Sequence, residues 1–300
     1  MYSNKDNNLA AMQILIWIAV LATAVIAACA VSIRMVKLAG IEELSDAHLV
    51  LKSSVANIKQ EVQTISENQI NLITEIPAYP SLFGKKIVYD GDSIAESREN
   101  NGGGYAQQIA ELTGNTYENL AVGGGWLCYN EKKHSVVRNL VNLPSDGDLY
   151  CFEGGINDYW GNAPLGQCDP ADYTGKLDTK TVCGAMETIF RYCMENFPGR
   201  PVCFVIVHKI QNTAVSKNAN GDTFEDYRNA MVAVCQKYSI PYFDAFTESG
   251  LNGWNDTQNQ LYLTANSKEK PDGIHPNEEG YRRYYVPQLL DLFTEIMPVE

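Results

Sequence analysis

An alternation that begins at residue 86 constrains the fold of this chain more than any other feature. Short runs rich in β-branched and aromatic residues occupy 86–90 (KIVYD), 116–121 (TYENLA), 148–153 (DLYCFE), 202–207 (VCFVIV) and 241–246 (PYFDAF). Segments with helical periodicity lie between and after them, near 104–113, 132–141, 181–196, 224–238 and 277–296. Strands separated by helices cannot close as hairpins, so they pair in parallel and the helices cover both faces of the sheet. The expected body is an α/β domain with a five-stranded parallel sheet.

Ligands of such sheets collect beyond the carboxyl ends of the strands, so the segments that follow each strand carry the functional information. The first strand runs into Gly91-Asp92-Ser93, the second into VGGGW (122–126), the third into GGINDYWGN (154–162), and PDGIHPNEEG (271–280) precedes the last helix. One rim thus receives a serine, a glycine-rich turn, an asparagine and an Asp/His pair. Acyl transfer needs this set. A serine hydroxyl is a weak nucleophile until a neighbouring base takes its proton, and imidazole suits that task near neutral pH. Asp272, three residues before His275, is within a short turn of the ring and would fix its tautomer. The N–H groups of Ser93 and of a glycine after strand two, with the Asn157 amide, are candidate donors to a tetrahedral oxyanion. Asp90 and Asp92 are read as stabilising the turn. Of the other histidines, His48 falls before the body, His134 on an expected surface helix, and His208 at the end of the fourth strand, a weaker candidate for the same rim.

Charge narrows the partners. The net charge is −13. Residues 1–40 carry three Lys/Arg against one Asp and residues 41–76 carry two against six, which leaves 18 basic and 29 acidic side chains for the rest. An acidic body repels phosphate backbones, so nucleic acid is not an expected partner. The eight cysteines, at 29, 128, 151, 168, 183, 193, 203 and 235, include no C-x₂₋₄-C pair, which argues against a zinc site. Most are read as small buried apolar residues, with Cys128 and Cys168 the first pair to examine for a disulfide.

Two segments precede the body. Leu9–Ile33 contains no charge over 25 residues, and a helix of that length spans about 37 Å, enough to cross a bilayer. Three readings stay open for residues 1–40: an uncleaved single-pass anchor, a lipoprotein signal ending at Ile26-Ala27-Ala28-Cys29, or a cleaved secretion signal. Each leaves the body membrane-bound or exported, with an extracytoplasmic catalytic domain expected; the basic Arg34 and Lys37 after the span argue for the opposite side. Residues 41–76 place Ile41, His48, Val55, Val62, Gln69 and Ile76 at one heptad position and Leu44, Leu51, Ile58, Ile65 and Leu72 at another. This 3-4 alternation predicts a coiled-coil stalk and a homo-oligomer, dimer or trimer. Pro77 and Pro80 end it, so a domain spanning 77–300 follows.

From residue 85 to 295 the chain resembles the SGNH (GDSL-type) hydrolases. GDSI at 91–94 is similar to the family's first block, NLAVGG (119–124) to the second, GGIND (154–158) to the third and DGIHPN (272–277) to the fifth. The resemblance implies a three-layer, flavodoxin-like α/β/α fold, no metal or other cofactor, and ester hydrolysis through an acyl-serine intermediate. It assigns Ser93, His275 and Asp272 to catalysis. It also assigns Ser93, Gly124 and Asn157 to the oxyanion hole, Gly124 by its distance from Asn119, with Gly123 and Gly125 as near alternatives. Trp126, Tyr159 and Trp160, close to those groups, either stack on a sugar ring, line an acyl pocket or simply pack. The expected function is a serine esterase acting on small-molecule or glycan esters. The alternative is a non-catalytic glycan-binding module carried on the stalk. A nucleotide- or flavin-binding domain is disfavoured, because neither G-x-x-x-x-G-K-[ST] nor G-x-G-x-x-G follows the first strand.

Overall fold

The five β-rich runs form one all-parallel sheet in the order β2-β1-β3-β4-β5. Its strands are β1 (Lys86–Asp90), β2 (Thr116–Asn119), β3 (Leu149–Gly154), β4 (Val202–Ile206) and β5 (Tyr242–Asp244). That order is the flavodoxin-like one, with its topological switch point between β1 and β3. The computed structural model describes residues 52–64, 78–97, 103–211, 216–264 and 270–298. The chain divides into two units, Met1–Ile76 and Pro77–Glu300. In the first, residues 52–64 are helical. The remainder of the expected coiled coil and the expected membrane span at 9–33 lie outside the described residues, among which no helix is long and apolar enough to cross a membrane.

In the second unit the central strands β3 and β4 are buried at every position, as parallel strands covered on both faces must be. On one side pack α2 (Tyr105–Thr113), α9 (Glu278–Tyr284) and α10 (Val286–Ile296). On the other pack α3 (Val136–Asn139), α5 (Val182–Asn196) and α6 (Phe224–Lys237). Two short helices, α7 (Ala245–Glu248) and α8 (Asp256–Tyr262), follow β5. Their ends follow from local chemistry. The Thr223 hydroxyl accepts from the Asp226 N–H while the Asp226 carboxylate accepts from the Thr223 N–H, a capping box that starts α6. Gly114, at φ +74°, stops α2 in the left-handed conformation that glycine adopts without steric cost. A buried ion pair ties α5 to α6: Lys237 Nζ lies 2.6 Å from Glu187 Oε2, and the Tyr238 hydroxyl donates to the same oxygen at 2.8 Å.

Several expected elements are shorter than the sequence suggests, each for a visible reason. The second strand stops at Asn119 because its side-chain oxygen accepts the Ala121 N–H and turns the chain. The helix expected over 132–141 begins only at Val136. The Asn130 carboxamide takes the N–H groups of Lys132 and Lys133, and Trp126 exchanges backbone bonds with the 134–136 segment. The last strand ends at Asp244, whose carboxylate is held by Arg228 and by the hydroxyl of Thr247. The long terminal helix is two, α9 and α10, with Pro287 in the first turn of the second. The seven cysteines from 128 to 235 are all free and six are buried, so Cys128 and Cys168 do not pair.

Phe204 lies fully buried in β4, edge-on to Phe190 of α5. Phe204→Ala is expected to lower the unfolding free energy by about 3–5 kcal/mol, as read from urea or thermal denaturation. A loss below about 1 kcal/mol would mean that this layer is not packed as described.

Candidate active site

β1 ends in a sharp turn that carries Ser93 as the first residue of a four-residue helix, α1 (Ser93–Glu96). The buried Asp90 carboxylate accepts the Gly91 N–H at 2.8 Å. Asp92 is the N-cap of α1, its Oδ1 accepting the Ile94 N–H at 2.9 Å and its Oδ2 the Asn157 side-chain N–H at 3.2 Å. Both acids therefore serve the turn. At the first residue of α1 the Ser93 N–H has no intrahelical acceptor.

The Asp272–His275 segment meets this turn from the far end of the chain. Asp272 Oδ1 accepts the N–H groups of Ile274 and His275, both at 2.9 Å, which winds the segment tightly and aims Oδ2 at the ring. Oδ2 lies 2.7 Å from His275 Nδ1, and Nε2 lies 2.8 Å from Ser93 Oγ. A carboxylate facing Nδ1 selects the tautomer with its proton there, which leaves Nε2 free to accept from the serine hydroxyl. Asn277 caps α9 by accepting the Gly280 N–H. From α9 the buried Tyr281 hydroxyl donates to the Ile94 carbonyl at 2.8 Å, so the histidine and serine segments are fastened directly to each other.

The glycine-rich turn lies beside Ser93: a Cβ placed on Gly123 would stand 3.7 Å from that of Ser93. Its three N–H groups have different fates. Gly123 donates to Glu96 Oε2 at 2.6 Å and Gly125 to the Val122 carbonyl at 2.8 Å. The Gly124 N–H makes no hydrogen bond among the described residues, and Gly124 sits at φ +75°. Asn157, in α4 (Ile156–Trp160), uses one amide N–H on Asp92 and keeps the other. Asn119, used above only to mark spacing, donates to the Ala95 carbonyl at 2.7 Å and ties β2 to α1.

A family model for the GDSL-like lipase/acylhydrolases matches residues 91–283, well over half of the chain and the whole interval from Gly91 past His275. The chain belongs to the GDSL-like lipase/acylhydrolase family. It is an SGNH-type carboxylic ester hydrolase. Solved structures share its fold. One is 24% identical with a TM-score of 0.63, covering 73% of this chain and 100% of its own. A protein from Lactobacillus plantarum is 22% identical with a TM-score of 0.61, covering 72% and 99%. A protein described as a possible lipase from Chitinophaga pinensis is 20% identical with a TM-score of 0.54, covering 70% and 98%. No curated protein sequence matches the chain.

Around the family's motif residues the structure also corrects the sequence reading. Tyr159 is only 4% exposed, its hydroxyl donates to the Ser216 carbonyl at 2.7 Å, and its ring packs edge-on against Phe224 and Tyr227. It is a core residue, not part of a substrate pocket. Trp126 is half-buried with its indole against Gly161, where a Cβ would come within 2.1 Å of two ring carbons. Trp160 is exposed. Asp158, the last residue of the GGIND block, has no role in the sequence reading. It is fully buried and accepts the N–H groups of Leu127 and Cys128, both at 2.9 Å, holding the chain after the glycine turn against α4. His134 is not on a surface helix: its Nε2 lies 2.7 Å from Asp90 Oδ1.

His208 approaches the site from beneath. It is fully buried just past β4, and its Nδ1 and backbone N–H both meet the Tyr285 hydroxyl, at 2.8 and 3.2 Å. Burial, with the charge of His275 adding to it and that of Asp272 opposing, pushes its pKa down to about 3. The unfolded chain binds this proton from about pH 6.5 downward and the folded chain does not. His208 therefore removes up to about 1.4 kcal/mol of stability per pH unit as pH falls through that window. The melting temperature of His208→Asn is expected to fall less steeply than that of the wild type between pH 6 and 4. Equal slopes would exclude His208 as a source of acid lability.

Proposed function

We propose that the protein hydrolyses carboxylic esters carried on glycans, with Ser93 as nucleophile, His275 as general base and acid, and Asp272 as the group that orients the imidazole. The observation that carries this reading is the unbroken hydrogen-bond chain from Ser93 Oγ through the two ring nitrogens of His275 to the Asp272 carboxylate. Ser93 Oγ attacks the ester carbonyl carbon as its proton passes to His275 Nε2. The resulting oxyanion accepts from the N–H groups of Ser93 and Gly124 and from the free amide N–H of Asn157. Collapse expels the alcohol, which takes the proton back from Nε2, and leaves an acyl group on Ser93. Water, deprotonated by the same nitrogen, then releases the acid and restores the serine. At a fluorophosphonate probe, Ser93→Ala is expected to abolish labelling and to cut p-nitrophenyl acetate turnover by at least about 10⁴-fold, as is His275→Ala for turnover. Labelling that survives Ser93→Ala would reject the nucleophile.

Support for a glycan alcohol comes from the rim. A groove of about 350 Å³ is lined by Lys209, Glu225, Phe246, Thr247, Asn252 and Trp254, at the carboxyl ends of β4 and β5 and the start of α6. It borders the histidine segment: the Gly253 N–H donates to the Lys209 carbonyl at 2.8 Å, and the Gln211 N–H to the Gly273 carbonyl at 3.3 Å. An exposed indole beside charged and amide groups is suited to a sugar ring, whose C–H face stacks while its hydroxyls find partners. Trp254→Ala is expected to raise KM for an acetylated oligosaccharide by about threefold to tenfold while leaving that for p-nitrophenyl acetate nearly unchanged. Equal effects on both substrates would remove the groove from substrate recognition.

A further inference from the structure

Beneath the turn that carries Ser93 lies a carboxyl group that the ester chemistry does not use. Glu153, the penultimate residue of β3, is 0% exposed in a strand otherwise made of apolar residues and glycine. Its Oε2 accepts the Asp92 N–H at 3.1 Å and the Ala95 N–H at 3.3 Å, the residues one before and two after Ser93. Its Oε1 is buried and has no hydrogen-bond partner. The same side chain dictates the glycine of the motif, since a Cβ on Gly91 would stand 2.8 Å from both the carbonyl oxygen and Oε2 of Glu153. Gly91, Glu153 and α1 are thus interlocked, with Ser93 at their apex.

We propose that Glu153 is a positioning residue for ester hydrolysis, which grips the nucleophile turn from below and holds the hydroxyl and N–H of Ser93 in register with His275 and Asn157. The proposal rests on Ser93 being the nucleophile. Two buried N–H groups that flank one residue fix both the start and the roll of a four-residue helix, which has too few hydrogen bonds of its own to hold its place. Without their acceptor both are left unpaired in the interior, and α1 keeps its ties to Asn119 and Tyr281 but loses its hold from beneath. A displacement of about 1 Å at a reacting atom costs on the order of 100-fold in rate.

Glu153 performs this task as a neutral acid. Burial, with the charge of Asp92 adding to it, drives its carboxyl well above the ordinary carboxylate range, while Asp92 is pushed up only to about 6. The phenols of Tyr105, Tyr281 and Tyr285 nearby are neutral as well, burial pushing each of them up. A second anion beneath the turn would oppose the negative charge that grows on the oxyanion, which the neutral acid avoids while still accepting.

The test compares Glu153→Gln with Glu153→Leu in the full chain, using p-nitrophenyl acetate kinetics and the rate of fluorophosphonate labelling. Glutamine retains a neutral acceptor of the same reach; its kcat is expected within about threefold of wild type. Leucine removes the acceptor; kcat and labelling rate are expected to fall together by about thirtyfold or more, with KM changed less than about twofold. Glu153→Met, which is unbranched and close in volume, replaces the leucine variant should that fail to fold. A folded apolar variant with wild-type kcat overturns the proposal, as does a glutamine variant as slow as the apolar one. Survival of labelling in Ser93→Ala would instead overturn the nucleophile assignment.

Discussion

A single hydrogen bond, 2.8 Å long, joins His275 to Ser93 across 182 positions of sequence, and the chemistry of the rim depends on it. Neither residue holds the other. Ser93 is placed by β1 and the turn after it, and His275 by the Asp272 turn and the cap of α9. The two segments then meet because β1 is the second strand of the sheet and α9 packs beside α2 on the face that β1 helps to form. The Tyr281 hydroxyl on the Ile94 carbonyl repeats the connection one layer below. That gives the serine–imidazole distance a second, independent constraint.

Buried carboxyl groups do most of the holding along this rim. Strands of a parallel sheet end abruptly, and the turns that follow leave N–H groups with no partner in the ladder. Asp90 serves Gly91, Asp92 serves Ile94, Glu153 serves Asp92 and Ala95, and Asp158 serves Leu127 and Cys128. Each acid accepts from backbone donors of a loop that must not move. Burial raises the proton affinity of Asp92, Glu153 and Asp158, and for Asp92 and Glu153 the charge of a neighbouring carboxylate adds to it. The outcome is a rim whose loops are pinned by side-chain acceptors although they contain little regular structure.

Much of this is legible in the sequence. The parallel sheet, its five strands and the helices between them followed from periodicity. The serine, histidine and aspartate that form the hydrogen-bonded chain stand out by their places after the first strand and before the last helix, and Gly124 is singled out among three glycines by the spacing from Asn119 that the family resemblance implies. What escaped was of two kinds. Short elements such as α4 and Asp256–Tyr262 are too brief for a 3.6-residue period to register. Polar residues inside otherwise apolar or glycine-rich stretches are read by their neighbours, Glu153 as part of a strand and Tyr159 as a rim aromatic, while Asp158 draws no reading of its own. One signal was available for Glu153, a charge at the end of a buried strand, which is costly unless it has a specific partner.

The sequence by itself determined which groups could take part, because side-chain chemistry and strand–helix periodicity are local properties. Tertiary structure alone decided which groups face one another. It turned Tyr159 into the core and left Trp160 outside, committed the N–H groups of Gly123 and Gly125 while sparing that of Gly124, and set Glu153 under the serine. Those outcomes depend on strand register and on how helices settle against the sheet. Both are fixed by burial and hydrogen bonding summed over the whole domain, and no short stretch of residues encodes that sum.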